Sequence, residues 1–278
     1  MGAQVLVVVG AGGMGEAVAR RLGAGRTILL ADVSEQTLTR AEESLTGEGL
    51  TVLPHVVDVS AAESVRELAA AAAAAGEVTA LVHTAGLSPV QASTEAILAV
   101  DLLGVALVLD AFVEVIAPGG AAVVIASMAG QMAGLTGEQE TALAATPTGE
   151  LLDLPFLAPD KLQPAVAYPL AKRANQLRVR ALSVPWGRRG IRINSVSPGV
   201  IVTPMGQAEL TGESSAYLRA MVRASGTARF GTASDIAAAT AFLLGPEASF
   251  VTGSDLLVDG GQLAAVTTDQ VDYGTGST

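Results

Sequence analysis

Gln4-Val5-Leu6-Val7-Val8-Val9 runs without a break into Gly10-Ala11-Gly12-Gly13-Met14-Gly15, and a helix-like stretch over 14–22 follows. A short run of β-branched and aliphatic residues, apolar at consecutive positions, reads as a strand buried on both faces. Glycines directly after it let the chain turn tightly, and let backbone N–H groups approach a pyrophosphate at the positive N-terminus of the helix. A second apolar run, 27–31, ends at Asp32, 17 positions after Gly15. A carboxylate there can accept both ribose hydroxyls of an adenosine and would repel a 2′-phosphate. No Arg or Lys stands in the glycine turn or directly after Asp32 to bind that phosphate. The reading is therefore a dinucleotide site for NAD(H), with Gly10, Gly12, Gly13, Met14, Gly15, Asp32 and Val33 around it.

The same alternation continues along the chain. Strand-like runs recur at 51–57, 80–84, 121–126, 192–196 and 255–258, separated by helix-like stretches at 34–45, 61–75, 94–116, 168–186 and 233–244. Strand alternating with helix predicts an α/β fold: a Rossmann-type, doubly wound parallel sheet of about seven strands with helices on both faces. No linker-like break divides the 278 residues, so the expectation is a single domain over 1–278. One irregular block, about 131–165, reads as an insertion; inside it Thr136-x-x-Gln139 is a capping-box pattern ahead of a short helix. From about 266 the chain is polar and glycine-rich, and reads as a flexible tail.

Composition excludes whole classes of chemistry. There is no cysteine, hence no disulfide, thiolate metal site or cysteine nucleophile, and two histidines are too few for a histidine-rich metal centre; the expectation is no metal. A formal charge of −11, with 16 basic against 27 acidic residues, argues against nucleic acid and anionic membrane as partners. The first nine residues lack the basic start of a signal peptide, and the longest uncharged stretch, 115–137, is interrupted by Pro118-Gly119-Gly120. These features point to a cytoplasmic protein.

Tyr168 and Lys172 stand at i and i+4, the spacing that puts two side chains on one helix face. An ammonium beside a phenol favours the phenolate and draws its pKa down from about 10. The pair is made of one of three tyrosines and one of two lysines in the chain. Ser127, at the end of the fifth run, is placed to donate a hydrogen bond to a substrate oxygen. His83 reads as a packed strand-end residue, and Met128 and Met132 read equally as cleft wall or core.

With these motifs in place, the chain resembles the classical branch of the short-chain dehydrogenase/reductase family over nearly its whole length. The likeness rests on the glycine turn, on Asp58-Val59, on His83-Thr84-Ala85-Gly86 where the family usually has Asn-Asn-Ala-Gly, and on Ile125-Ala126-Ser127-Met128-Ala129-Gly130. It rests further on Tyr168-x3-Lys172, on Asn194 through Thr203, and on the ending Phe250-Val251-Thr252-Gly253 to Val258-Asp259-Gly260-Gly261. The resemblance implies an NAD(H)-dependent oxidoreductase that interconverts a secondary alcohol and a ketone, with an apolar, hydroxysteroid-like or other carbonyl substrate. It implies Tyr168 as acid/base, Lys172 as its modulator, Ser127 as the stabiliser of the substrate oxygen and Asp101 at the position of a proton-relay residue. It implies cofactor contacts from Asp58, Val59, Thr84, Ala85, Gly86, Tyr168, Lys172, Pro198, Gly199, Val200, Ile201 and Thr203, and a homodimer or homotetramer.

Four departures stand out. The glycine turn is one residue shorter than the family spacing. Asp101 replaces the family's asparagine, which supports a rival reading as a cofactor-binding regulator or scaffold with little turnover. Pro169 disfavours helical geometry at the residue before it, which predicts Tyr168 at the mouth of its helix. Ser127 and Tyr168 are 41 positions apart where the family leaves about a dozen. In that layout the chain is similar to bacterial 3α-hydroxysteroid dehydrogenase/carbonyl reductases. The extra block is expected to form a lid-like wall beside the substrate cleft, its apolar Leu151, Leu152, Leu154, Phe156 and Leu157 covering substrate or a second subunit.

Overall fold

The computed structural model describes residues 3–211 and 215–272. Its strands are β1 (Gln4–Val9), β2 (Thr27–Asp32), β3 (Thr51–Val56), β4 (Glu77–His83), β5 (Ile116–Ile125), β6 (Arg192–Pro198), β7 (Ile201–Val202), β8 (Gly231–Thr232) and β9 (Asp255–Val258). Its helices are α1 (Gly13–Leu22), α2 (Glu35–Gly47), α3 (Ala62–Ala75), α4 (Thr94–Ile97), α5 (Val105–Phe112), α6 (Gly137–Ala145), α7 (Pro164–Arg188), α8 (Pro204–Thr211), α9 (Ser215–Ala224), α10 (Ala233–Leu244) and α11 (Gln262–Thr267). Seven strands form one parallel sheet in the order β3-β2-β1-β4-β5-β6-β9, a single Rossmann-like domain; β7 and β8 make a separate two-residue pair. The order reverses direction between β1 and β4, which opens a crevice at the carboxyl ends of those strands. Among the described residues no helix is long and apolar enough to cross a membrane.

Alternation along β1 shows why every residue of that strand after Gln4 is apolar. Val5, Val7 and Val9 pack against Leu68 of α3, Phe112 of α5 and Trp186 of α7, while Leu6 and Val8 pack against Val18 of α1, Leu38 of α2 and Ala237 of α10. By the same two-residue period His83, the last residue of β4, follows Leu81 onto the face covered by α5 and α7. The imidazole is fully buried, and both ring nitrogens lack a hydrogen-bond partner among the described residues.

Several sequence expectations need correction. The helix read as starting at Tyr168 starts at Pro164, so Tyr168 lies more than a turn inside it. Proline is favoured in the first helical turn. Pro169 deprives only the Ala165 carbonyl of a helical bond, and Ala165 is exposed to water, which solvates it. The helix read over 94–116 is interrupted by a π-helical segment, Leu98–Gly104, and ends at Phe112, because Ile116 already pairs with Val78 as the start of β5. The chain from 266 to 272 is not free: α11 continues to Thr267, the N–H groups of Thr268 and Gln270 donate to the carbonyls of Ala264 and Ala265 at 3.0 and 2.9 Å, and Val271 packs with Ala220 and Ala265. The rest of the expected tail, 273–278, lies outside the described residues.

The insertion does not form a wall over the cleft. Its capping box is present, with Thr136 and Gln139 exchanging bonds of 3.2 and 2.9 Å at the start of α6. Leu143, Leu151 and Leu157 are buried against Ile97, Leu98 and Leu102 on one side and Leu170, Ala174 and Leu177 of α7 on the other; Leu154 and Phe156 are half-buried beside them. Leu152 alone of the five apolar residues stays exposed, at 37%. The apolar block is thus satisfied inside its own chain, against the π-helical segment and the first half of α7. Arg178 of α7 reaches across to donate to the carbonyls of Leu143 and Thr146 at 3.2 and 2.9 Å and to Thr148 Oγ1 at 3.1 Å. Arg173, one turn earlier, pairs with Glu140 at 2.7 Å.

Two stability outcomes are expected. Leu151→Ala opens a cavity in this satellite core and should cost about 2–5 kcal/mol in urea unfolding, against less than about 1 kcal/mol for Leu152→Ala; equal costs would show that the block does not pack this way. His83 is held neutral, its pKa lowered from 6.5 to about 3 by burial and then by the nearby charge of Lys172. Between those values the unfolded chain binds a proton there that the folded chain refuses. Stability is then complete above about pH 6.5 and falls as pH drops towards 3, by up to about 1.4 kcal/mol per pH unit. Urea midpoints above and within that window should converge for His83→Asn relative to the parent chain, and parallel pH dependences would refute the assignment.

Candidate active site

A cleft of about 660 Å³ lies at the carboxyl ends of β1, β2 and β4, where the strand order reverses. Its floor is the glycine turn. Gly10 has φ +101°, and a Cβ there would sit 2.5 Å from both the Ala85 nitrogen and Thr84 Oγ1; a Cβ on Gly15 would overlap the Gly10 carbonyl oxygen. Only glycine allows the turn to nest against the end of β4, where Thr84 Oγ1 donates to that carbonyl at 2.8 Å. A Cβ on Gly12 would meet no protein atom within 4 Å and would project into open space, and no side chain caps the first turn of α1. The first-turn N–H groups are thus left for a ligand. An anionic pyrophosphate fits that cradle.

Asp32 ties the turn to β2: one carboxylate oxygen accepts the Ala11 N–H at 2.8 Å and the other accepts Ser34 N–H at 2.9 Å. The carboxylate still lines the cleft, together with Gly10, Gly12, Gly13, Met14, Val33, Asp58, Val59, Thr84, Ala85, Gly86 and Thr203. Gly15 packs beneath the turn and does not line it. Among the lining residues that escaped the sequence reading are Thr37 and Arg40 of α2. Arg40 stands three positions past Thr37 on α2, the spacing that puts both on one helix face.

A second cleft of about 270 Å³ opens beside the first, with Met14, Thr203 and Met205 shared between their walls. Ser127, Tyr168, Pro198, Gly199, Val200 and Ile201 line it. So do Met14, Met128, Met132, Met205 and Met221, which are all the methionines of the chain after Met1. No charged side chain lines it among the described residues. The helices α8 and α9, which the sequence reading missed, supply Met205, Tyr217, Leu218 and Met221. Of the insertion, only Met132 and Ala165 reach this cleft.

Ser127 is fixed from both ends. Its hydroxyl oxygen accepts the Ala129 N–H at 3.2 Å, and its carbonyl accepts from Gln176 Nε2 at 3.2 Å. The same amide donates to Ser197 Oγ at 2.9 Å, and Ser197 donates to Asp255 at 2.8 Å. Gln176 lies one turn past Lys172, so α7 holds Ser127 in register with its own Tyr168.

Lys172 and Asp101 do not line either cleft; they lie buried behind Tyr168. The Lys172 ammonium is 5.4 Å from the centre of the Tyr168 ring and 3.2 Å from Asp101 Oδ2, a charge pairing without the alignment of a hydrogen bond. Asp101 Oδ1 accepts the Leu87 N–H at 2.7 Å, and its main-chain carbonyl accepts from Asn175 Nδ2 at 3.0 Å. Burial pushes the Asp101 carboxyl up, against the pull of Lys172 and the Leu87 N–H. Burial also works to lower Lys172, but the charges of Asp101 and Tyr168 outweigh it and hold the ammonium protonated, above its usual range.

Comparison with known proteins agrees with this geometry. Residues 4–139 match the family model described as short chain dehydrogenase, and residues 136–262 match that described as Enoyl-(Acyl carrier protein) reductase. A short-chain dehydrogenase/reductase of Alternaria brassicicola is 40% identical over 97% of this chain and 99% of its own length. The crystal structure of levodione reductase is 28% identical and superposes with a TM-score of 0.75, covering 95% of this chain and 98% of that one. A blue fluorescent protein from a metagenomic library, solved in complex with NADPH, is 27% identical with a TM-score of 0.73 over 93% of this chain and 97% of its own. With a parallel sheet in this order, a nicotinamide-cofactor crevice at its switch point and an apolar cleft beside it, the chain belongs to the short-chain dehydrogenase/reductase family, as an oxidoreductase of the alcohol/ketone type.

Proposed function

We propose that the chain is a cytoplasmic, NAD(H)-dependent enzyme that interconverts an uncharged, apolar secondary alcohol and its ketone. The observation that carries this reading is an uncharged, methionine-lined cleft that merges with the cofactor cleft and has Ser127 and Tyr168 on its wall. Methionine side chains are flexible and polarisable, and a wall built from five of them adapts to an apolar skeleton without fixing one shape. A charged substrate would lose its hydration there with no partner to replace it.

When bound, the nicotinamide supplies or accepts the hydride. The chain does the rest. The O–H of Tyr168 exchanges a proton with the substrate oxygen, and the Lys172 ammonium behind the ring favours the phenolate that this requires. Ser127, its oxygen already accepting from Ala129, turns its hydroxyl proton to the same substrate oxygen and stabilises developing negative charge. Asp32 accepts the adenosine ribose hydroxyls with the lone pairs its two backbone bonds leave over. A homo-oligomer belongs to this reading, formed by surfaces other than the first half of α7, which the insertion covers. Asp101 beside Lys172 favours the rival reading, a cofactor-binding regulator, and turnover separates the two.

Titration with both cofactors should give NAD(H) at least tenfold tighter binding, because a 2′-phosphate against Asp32 costs about 2 kcal/mol or more. Arg40 works the other way, so Arg40→Ala should widen the gap and Asp32→Ala narrow it. Equal affinities in the parent chain would overturn the NAD(H) assignment. Tyr168→Phe should bind cofactor unchanged and lose turnover of a panel of secondary alcohols by about 100-fold or more; activity kept within tenfold would put the proton elsewhere.

A further inference from the structure

We propose that Asp101 is a positioning residue that sets the charge felt by Tyr168: by pairing with Lys172 it fixes the ammonium behind the ring and offsets its field, so the phenol ionises at higher pH than above an unpaired ammonium. This rests on the reading of Tyr168 as the proton-exchanging group, and it goes beyond that reading by assigning a second, opposing charge to the site.

Three features make Asp101 more than a neutral spacer. It sits in the middle of the π-helical segment Leu98–Gly104, and its exposure is 0%. The wider π turn inserts a residue into the helix, and such segments often mark functional positions. Its backbone and one carboxylate oxygen are pinned by Asn175 and Leu87, which leaves Oδ2 facing Lys172 at 3.2 Å. Lys172 is itself buried and 5.4 Å from the Tyr168 ring centre, so little water stands between the three groups. In such surroundings a carboxylate next to an ammonium cancels much of what a phenol feels from the ammonium alone.

The other charged groups packed around α7 do not compete. His83 from β4 is neutral over the working range. Glu140 of α6 is taken by Arg173, Glu95 of α4 is fully exposed, and Asp110 of α5 acts on Arg178. Arg192 of β6 is occupied by the carbonyls of Leu243, Gly245 and Val251. The short turn Met128–Met132 carries no charge. Asp101 is left as the anion that opposes Lys172.

The test is an ultraviolet titration of phenolate, taken as the difference between each protein and its Tyr168→Phe counterpart, in the parent chain and in Asp101→Asn. Asparagine keeps the size and the acceptor for the Leu87 N–H but removes the charge. The Tyr168 midpoint should fall by about one pH unit in Asp101→Asn, and the acid limb of kcat/KM for a secondary alcohol should move down with it. A midpoint that stays put or rises overturns the proposal. If Asp101→Asn loses its fold by circular dichroism, Asp101→Ser, smaller and uncharged, carries the same expectation. Absence of turnover in the parent chain would condemn the functional reading alone, since the absorbance midpoint needs no substrate.

Discussion

An ammonium taken out of water has to be met by opposite charge, and much of the site follows from how Lys172 meets that demand. Lys172 pairs with no carboxylate of the sheet: Asp255, on β9, accepts from Ser195 and Ser197 instead. Its partner comes from the facing helix, and the helix has to widen into a π turn to bring Asp101 round. The widened turn is then tied down by the Leu87 N–H on one side and by the Asn175 amide on the other. The loop that carries Leu87 also carries Thr84, which holds the glycine turn through the Gly10 carbonyl. The glycine turn and the face of α7 that carries Lys172 are therefore connected by a short series of bonds that pass through one buried carboxylate.

How much of this was legible in the sequence depends on whether a feature is local. β1 and β9 match the bounds read from the sequence: β1 is an apolar, β-branched run buried from Val5 on, and β9 is a short, half-buried edge strand. The capping box at Thr136 was also visible, since two side chains three residues apart suffice to form it. What failed depended on tertiary surroundings. Pro169 was read as a boundary because nothing in the sequence says that the one carbonyl it strands is solvated. The apolar insertion was read as a lid because hydrophobicity demands a cover and does not name one.

The candidate site divides along the same line. The glycine turn, Asp32 and the Tyr168–Lys172 pair were accessible from spacing, each within a single turn or helix. Arg40 was accessible in principle from the period of α2, but a search confined to the loop after Asp32 stops short of it. The methionine wall was not accessible at all: its five members come from four separate segments, α1, the turn Met128–Met132 at both its ends, α8 and α9, and they share a surface only after folding. Asn175 and Gln176 fall in the same class, ordinary polar residues on a helix until their partners across the fold are known.

The insertion has a consequence for how the enzyme responds to dilution. A helix that carries reacting groups is often steadied on its outer side by a second subunit, and that support obeys mass action and is lost as the protein is thinned out. Here the first half of α7 and the π-helical segment are covered by Leu143, Leu151 and Leu157 of the same chain and clasped by Arg178 and Arg173. A tethered cover has an effective concentration that no change in the surroundings can alter. On that side the packing beside Tyr168 and Lys172 is supplied from within the polypeptide.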